Sequence, residues 1–276
     1  MTAELKEWVH LLVRWGHVFA GILWVGTTYY FTWLDGRFTE LEKQFQGDKQ
    51  AKDTGAKKIW MVHSGGFYVV EKLRTPQVMS EKLHWFRWEA ALTWLTGIFL
   101  FVLLYYHGGL MVGLEDARIT PTVAIWLSVG LLIVSVPIYD LLWFRLFKSP
   151  RAGVIVSFAL IVALSWFLAR YFTGRAAYLQ LGAMFGTIMT ANVWMRILPA
   201  QRRMVAALKE GKEPDQVEAA RAKTCSKHNT FMVVPVVFTM ISNHFPAITF
   251  GQRYNWLILS ALVLIGWGAA KWLRRA

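Results

Sequence analysis

Long apolar segments alternate with short polar ones along almost the whole chain. Most of the apolar segments approach or exceed the roughly 20 residues that an α-helix needs to cross the hydrocarbon core of a bilayer. They cover residues 8–33, 88–107, 122–144, 153–169, 177–198, 230–245 and 254–272, and the sixth is the shortest and contains Pro235. The pattern therefore predicts one all-α domain over residues 1–276, a polytopic membrane helix bundle with about seven transmembrane helices.

The polar segments include two sizeable loops, at about 35–83 and 199–227. In the first, we expect helix at 37–58. Residues 59–70 are apolar but too short to cross, which favours an additional re-entrant or interfacial helix there. The second loop has the pattern of an amphipathic helix that is interrupted at 211–214 by a glycine and a proline.

Composition and charge support the membrane interpretation. Hydrophobic residues make up 55% of the chain, which includes 15 Trp and 18 Phe, and the formal net charge is +13. When the loops are assigned alternately to the two sides, most Lys and Arg residues fall on one side. This asymmetry predicts an outer N-terminus and a cytoplasmic C-terminus. The basic excess thus indicates topology and contact with membrane lipid, and it excludes nucleic acid as the expected partner.

Cysteine usage limits the redox chemistry. Cys225 is the single cysteine of the chain. An internal disulfide, a CxxC redox pair, a cysteine-ligated iron–sulfur cluster and a CxxCH haem attachment are therefore excluded.

Two histidines in the outer half of the predicted bundle could hold a haem. His17 lies deepest, with Gly16, Ala20 and Gly21 beside it, and His244 lies at a comparable depth on the sixth segment. A b-type haem takes imidazoles from two helices, and small neighbouring residues let the ring approach the backbone. His17 and His244 are therefore the candidate ligands of a haem iron. The alternative is that each histidine makes a hydrogen bond to a neighbouring helix or a lipid headgroup.

Histidines at the cytoplasmic edge have polar and aromatic neighbours that could bind a planar anion. An arginine can grip the anion in two places, while aromatic rings stack on it and a histidine or carboxylate moves protons. The candidate catalytic residues are His63, His84, Glu89 and His228, and the candidate substrate-binding residues are Arg87, Trp85, Asn229 and Phe67. The alternative is an ordinary interfacial belt of Trp and Arg. His63, His84 and His228 could also bind a metal together, but they are too far apart in the sequence for their spacing to predict a metal site.

Two further charges lie within apolar segments. Asp140 lies in the third segment and Arg196 ends the fifth. Each could belong to a proton path or pair with a haem propionate, and each could also be a structural charge near an interface.

The candidate haem-ligand, catalytic and substrate-binding residues lie in motifs that resemble the N-terminal membrane domain of the membrane-bound bacterial urate oxidases. The resemblance extends in order over nearly the whole chain. It rests on RWGHVFAGILWVG at 14–26, HSGGFY at 63–68, LHWFRWEA at 83–90, GTIMTAN at 186–192, SKHN at 226–229 and MISNHFP at 240–246.

The resemblance implies oxidation of urate to 5-hydroxyisourate, with the electrons passed to a cytochrome c. Typical members carry a C-terminal cytochrome c domain, whereas this sequence runs to Ala276 without a CxxCH motif. We therefore expect a separate cytochrome c or other redox protein as the electron acceptor.

Residues and resemblance together predict a membrane oxidoreductase that binds urate, or a similar planar anion, at the inner histidines. Electrons would leave through the haem of the outer half. One alternative is a haem b electron-carrier subunit of a respiratory complex without its own substrate site. Another is an anion transporter, which needs no haem and for which Pro137 and Pro235 could interrupt helices.

Overall fold

The computed structural model describes residues 2–44, 58–73, 82–113 and 117–274. Within these ranges the chain forms eight α-helices and one two-stranded antiparallel sheet. The elements are α1 Ala3–Gln44, β1 Lys58–His63, β2 Gly66–Glu71, α2 Trp88–Phe101, α3 Pro121–Asp140, α4 Pro150–Tyr171, α5 Gly174–Ala191, α6 Leu198–Lys209, α7 Gln216–Ile241 and α8 Asn255–Leu273. The prediction of an all-α membrane bundle is confirmed.

Three of the helices continue into a turn of π-helix. These turns are Val102–Tyr106 after α2, Leu141–Leu146 after α3 and Asn192–Ile197 after α5. A π-turn inserts an extra residue into the helical ladder, and such turns are frequent at functional sites. Two short 3-10 turns, Ser242–His244 and Pro246–Ile248, follow α7.

Six helices of the described chain are long and apolar enough to cross a membrane. They lie in α1, α2, α3, α4, α5 with α6, and α8. The remaining predicted crossing, 230–245, corresponds to the second half of α7 and the 3-10 turn that follows. The first half of α7 carries Glu218, Arg221, Lys223 and Lys227, and it therefore continues the bundle into the polar region.

Short polar residues and prolines define where the helices begin. Thr120 accepts a hydrogen bond from the backbone of Val123 at the start of α3, and Thr173 does the same for Ala176 in α5. Asp215 accepts from the backbone N–H groups of the first turn of α7. These side chains satisfy N–H groups that a helix start leaves unpaired. The predicted interruption at 211–214 is confirmed, because α6 ends at 209 and α7 begins at 216.

Helix α5 forms the centre of the bundle. Eleven of its residues, from Ala176 to Met189, are buried. Small residues allow close approach: a Cβ added to Gly182 would meet the Thr239 hydroxyl of α7 at 2.2 Å. A Cβ on Gly266 of α8 would meet the Pro235 ring at 3.0 Å. Close packing over small residues is a main source of helix association within lipid.

Residues 59–70 form a β-hairpin, so the prediction of an additional helix there is wrong. Ile59 is buried against Leu34 and Phe38 of α1. Trp60 pairs with Val69 on the opposite face, where Trp60 is 68% exposed. The two faces alternate with a period of two, which is the pattern of a strand. Of the helix predicted at 37–58, the part to 44 belongs to α1, and 45–57 lie outside the described residues.

Candidate functional site

Six side chains of α3, α7 and the π-turn after α5 form a connected polar group at one end of the bundle. We call it the inner network, and it consists of Tyr139, Asp140, Asn192, Arg196, His228 and Asn229. α3 changes to π-helix directly after Asp140, and α5 does so at Asn192. The extra residue in each π-turn shifts the helical face that follows it. Asp140 directly precedes the first of these π-turns, and Asn192 and Arg196 lie within the second.

Arg196 and Asp140 are the two charged members of the network. The Arg196 guanidinium group pairs with the Asp140 carboxylate and donates from Nη1 to Asn192 Oδ1 at 3.1 Å. Arg196 and Asn192 are both buried. Removing charges from water is costly unless they are paired and hydrogen-bonded, and here both conditions are met for the guanidinium. The second Asp140 oxygen, Oδ1, is buried without a hydrogen-bond partner in the described structure.

The arginine also fixes the orientation of the amides. A guanidinium group only donates hydrogen bonds, so the Asn192 atom that it contacts must be the amide oxygen. Asn192 Nδ2 therefore donates, to Asn229 Oδ1 at 2.9 Å and to the Tyr139 hydroxyl at 3.3 Å. Asn229 Nδ2 in turn donates to the backbone oxygen of Met189 at 3.1 Å.

The Tyr139 hydroxyl links Asn192 to His228. It accepts from Asn192 Nδ2 and lies 2.8 Å from His228 Nδ1. Whether the hydroxyl or His228 Nδ1 donates in this second bond depends on the tautomer of the imidazole. Burial and the neighbouring Lys227 lower the pKa of His228 to about 4, which keeps the ring neutral at pH 7. The Trp143 ring lies 4.2 Å from the imidazole, centroid to centroid.

An open cavity of about 200 Å³ reaches Asp140 and Arg196 from the polar side. Its wall includes Arg203, which pairs with Glu218 at 2.7 Å, and Arg221, which lies over the Phe144 ring. Three guanidinium groups face two carboxylates in this wall, which leaves an excess of one positive charge. Such a cavity favours an anion.

The predicted residues before and within the first turn of α2 lie beside the π-turn of α5. Trp88 contacts Trp194 edge to face at 5.9 Å, and the Arg87 guanidinium lies 5.4 Å from the Trp88 ring centroid. Trp85 packs against the buried cluster of Ala90, Val193 and Leu198. The Oε2 atom of Glu89 is buried without a hydrogen-bond partner in the described ranges. This group therefore lies next to the segment that carries Asn192 and Arg196.

The other three predicted residues lie outside this group: His84 comes just before it in the chain, and His63 and Phe67 lie in the β-hairpin. The His84 ring contacts Phe86 at 4.5 Å, and His63 Nδ1 bonds the Ser64 hydroxyl at 2.8 Å in the hairpin turn. Phe67 is 78% exposed. No hydrogen bond or ring contact among the described residues joins these three to His228. The structure thus brings His228 and Asn229 together and places the other predicted inner residues in two separate groups.

The sequence prediction missed two members of the network, Tyr139 and Asn192. Both lie close to residues that the sequence analysis had singled out. Tyr139 directly precedes Asp140, and Asn192 lies four residues before Arg196. That spacing puts Asn192 and Arg196 on one helix face. Their neighbours on other helices were not visible in the sequence. Within the described part of the chain, no group of three or more His, Cys, Asp or Glu residues could hold a metal ion.

In the outer half, His17 has a well-defined environment. Its Nδ1 atom bonds the backbone oxygen of Thr93 at 3.0 Å and the Thr96 hydroxyl at 3.1 Å, which leaves Nε2 available. A Cβ on Gly97 would come within 2.9 Å of the ring. Histidines that bind metals commonly donate their other nitrogen to a carbonyl in this way. His244 lies exposed in the 3-10 turn after α7.

Fold and site together define a multi-pass helical membrane protein with a buried polar network at one end of its bundle. The sequence model of the urate oxidase N-terminal family matches residues 3–276, and the chain belongs to that family. The resemblance seen in the motifs is thereby confirmed, and family membership indicates a urate-related oxidoreductase. No curated protein and no solved structure matched the chain.

Proposed function

We propose that this protein oxidises urate to 5-hydroxyisourate at the inner network and passes the electrons through a b-type haem to a separate cytochrome c. The supporting observation is the buried Arg196–Asn192–Asn229 chain, which a cavity with excess positive charge reaches. The reaction adds one water to urate and releases two protons and two electrons. It therefore needs an anion site, a proton acceptor and an electron acceptor.

The anion site would be the cavity at Arg196. Urate is planar and singly charged at neutral pH, and a guanidinium group presents a planar fork of donors to such an anion. Arg203 and Arg221 add positive charge at the cavity wall. Asn192 accepts a hydrogen bond from Arg196, and Asn229 accepts one from Asn192, so the two amides support the position of the guanidinium group.

The proton acceptor would be Glu89, and His228 would orient the substrate. A neutral His228 with its proton on Nε2 would accept from the Tyr139 hydroxyl at Nδ1 and donate from Nε2–H to the substrate. The Glu89 carboxylate has a free oxygen and belongs to the group beside the π-turn of α5. Arg87 and Trp85 of that group are proposed to contact the substrate. His63, His84 and Phe67 remain predictions.

The residues around His17 fit a haem ligand, and His244 is proposed as the second. The Thr93 carbonyl fixes the orientation of the His17 ring, and Gly97 provides room for it. A haem bound there supplies one-electron acceptance. A bacterial inner membrane would put this half of the bundle on the periplasmic side, where a separate cytochrome c could collect the electrons.

The test is a visible spectrum of the detergent-purified protein before and after anaerobic addition of urate. We expect a haem band that urate reduces, a weaker response in Arg196→Gln, and loss of the band in His17→Ala. The matched control is Lys212→Gln, which removes an exposed cation that pairs with Glu210 away from the network.

Each other outcome contradicts part of the proposal. A haem that dithionite reduces and urate does not would support the electron-carrier alternative. A folded protein without a chromophore would exclude the haem and favour transport. A normal spectrum in both His17→Ala and His244→Ala would exclude these two ligands.

A further inference from the structure

A second polar cluster lies at the opposite end of the bundle. We call it the outer cluster, and it consists of His10, Arg14, Tyr105, Arg175 and Asn243. It joins α1, the π-turn after α2, the first turn of α5 and the 3-10 turn after α7. None of these residues takes part in the inner network.

The two arginines of this cluster approach the same neighbours. Arg14 Nη2 donates to His10 Nε2 at 2.7 Å, and Arg175 Nε donates to Asn243 Oδ1 at 2.7 Å. Both guanidinium groups act electrostatically on His10 and on Tyr105. The cluster therefore concentrates two positive charges from different helices.

Nothing in the described structure neutralises these charges. No carboxylate in the described ranges lies within ion-pair distance of Arg14 or Arg175. Arg175 lies in the first turn of α5, where the helix dipole already disfavours a cation. Two like charges at the edge of a lipid phase repel with little screening. An anion bound between the two guanidinium groups would reduce their mutual repulsion and would also offset the unfavourable interaction of Arg175 with the helix dipole.

The cluster also contains a buried hydroxyl group. Tyr105 is 1% exposed, and Arg175 approaches its hydroxyl, which nevertheless has no hydrogen-bond partner of good geometry among the described residues. The Arg175 guanidinium lies 5.9 Å from its ring centroid. A buried polar group without a partner is costly, and in native structures it commonly marks a missing ligand or water.

We propose that Arg14, Arg175 and Tyr105 bind an oxyanion carried by an amphiphilic ligand at the outer membrane edge. The oxyanion is either a carboxylate of the haem that we propose at His17 or the phosphate of a phospholipid. Only the first source rests on the proposed function. Arg14 lies one turn before His17, so a ligand at His17 can reach it. The large apolar side chains of Leu11 and Trp15 are exposed beside Arg14 and offer a surface for the apolar body of either ligand.

The experiment compares the wild type with Arg14→Gln, Arg175→Gln and the double variant. Two quantities are measured: the midpoint potential of the haem, and the dissociation constant of phosphatidylglycerol from delipidated protein by native mass spectrometry. The matched control is Arg253→Gln, which removes an arginine that lies over Tyr254. Thermal unfolding and size-exclusion profiles confirm that each variant is folded, and Arg→Lys variants replace any that is not.

A haem carboxylate predicts a lower midpoint potential in the double variant, because nearby positive charge favours the reduced iron. A phospholipid predicts about tenfold weaker phosphatidylglycerol binding for each arginine lost, as expected for one charge-assisted hydrogen bond. Arg253→Gln should change neither quantity. Unchanged potential and unchanged lipid affinity in the double variant would overturn the site. A wild type without haem would refute the proposed haem, and the lipid measurement alone would then decide the site.

Discussion

At the scale of single residues, the inner network depends on a chain of directed hydrogen bonds. Arg196 fixes the amide of Asn192, Asn192 donates to the Tyr139 hydroxyl, and that hydroxyl is hydrogen-bonded to His228. The sequence identified His228 and Asn229 as candidates from their positions near the membrane edge. It could not reveal that His228 is linked through Tyr139 to Asn192, because these partners are 36 or more residues away in the sequence.

A tyrosine substitution tests this chain. Tyr139→Phe removes the hydroxyl that holds His228 Nδ1, so we expect a loss of about 1–3 kcal/mol of stability and a slower urate-dependent reduction. The control is Tyr106→Phe, which removes another tyrosine hydrogen bond, to Ser128 at 2.8 Å. That control should cost similar stability and leave the reduction unchanged. Thermal unfolding and anaerobic reduction kinetics provide the two readouts, and equal rates in both variants would argue against an orienting role for Tyr139.

At the scale of elements, the hairpin shows how a pattern can be misread. Residues 59–70 are apolar on both faces, so their hydrophobicity alone favoured a membrane helix. The strand period appears only when burial separates Ile59 and Met61 from Trp60 and Val62. Ser64 and Gly65 close the turn with positive φ values of 52° and 75°. Two positive φ values in a two-residue turn match the twist of a hairpin.

A pair of substitutions tests the two faces of the hairpin. Ile59→Asp puts a charge against Leu34 and Phe38, and it should release the hairpin from α1 at a cost of about 2–5 kcal/mol. Trp60→Asp makes the same kind of change on the exposed face and should leave the hairpin docked. Hydrogen exchange of the 58–71 amides measures docking. Equal exchange in both variants would mean that Trp60 is packed as well.

At the scale of the whole molecule, Asp35 connects parts of the chain that are far apart in sequence. Its carboxylate bonds Lys72 of the first loop and lies 3.8 Å from Lys223 of α7. Arg274 also acts on it electrostatically and donates to the Thr230 hydroxyl at 3.4 Å. One acidic side chain thus lies among cations of the first loop, α7 and the end of α8, and we expect it to link these three parts at the same end of the bundle.

Removing this charge should loosen all three parts together. In Asp35→Asn we expect faster hydrogen exchange at 66–73, at 220–227 and at the end of α8, with a lower unfolding temperature. Glu40→Gln is the matched control, because Glu40 pairs with Arg37 one turn away on the same helix. A change confined to the hairpin in Asp35→Asn would show that Lys223 and Arg274 do not depend on Asp35.

The sequence by itself determined the membrane class, nearly all of the spanning segments, the break between α6 and α7 and the family. These follow from local hydrophobicity, from turn residues and from motifs, all of which can be read within short stretches of the chain. Only the tertiary structure decided how the inner network is connected, which face of the hairpin is buried and that Arg14 and Arg175 act on the same neighbours, His10 and Tyr105. Those features depend on which helix faces pack together, and many combinations of neighbouring helices satisfy the same hydrophobic pattern.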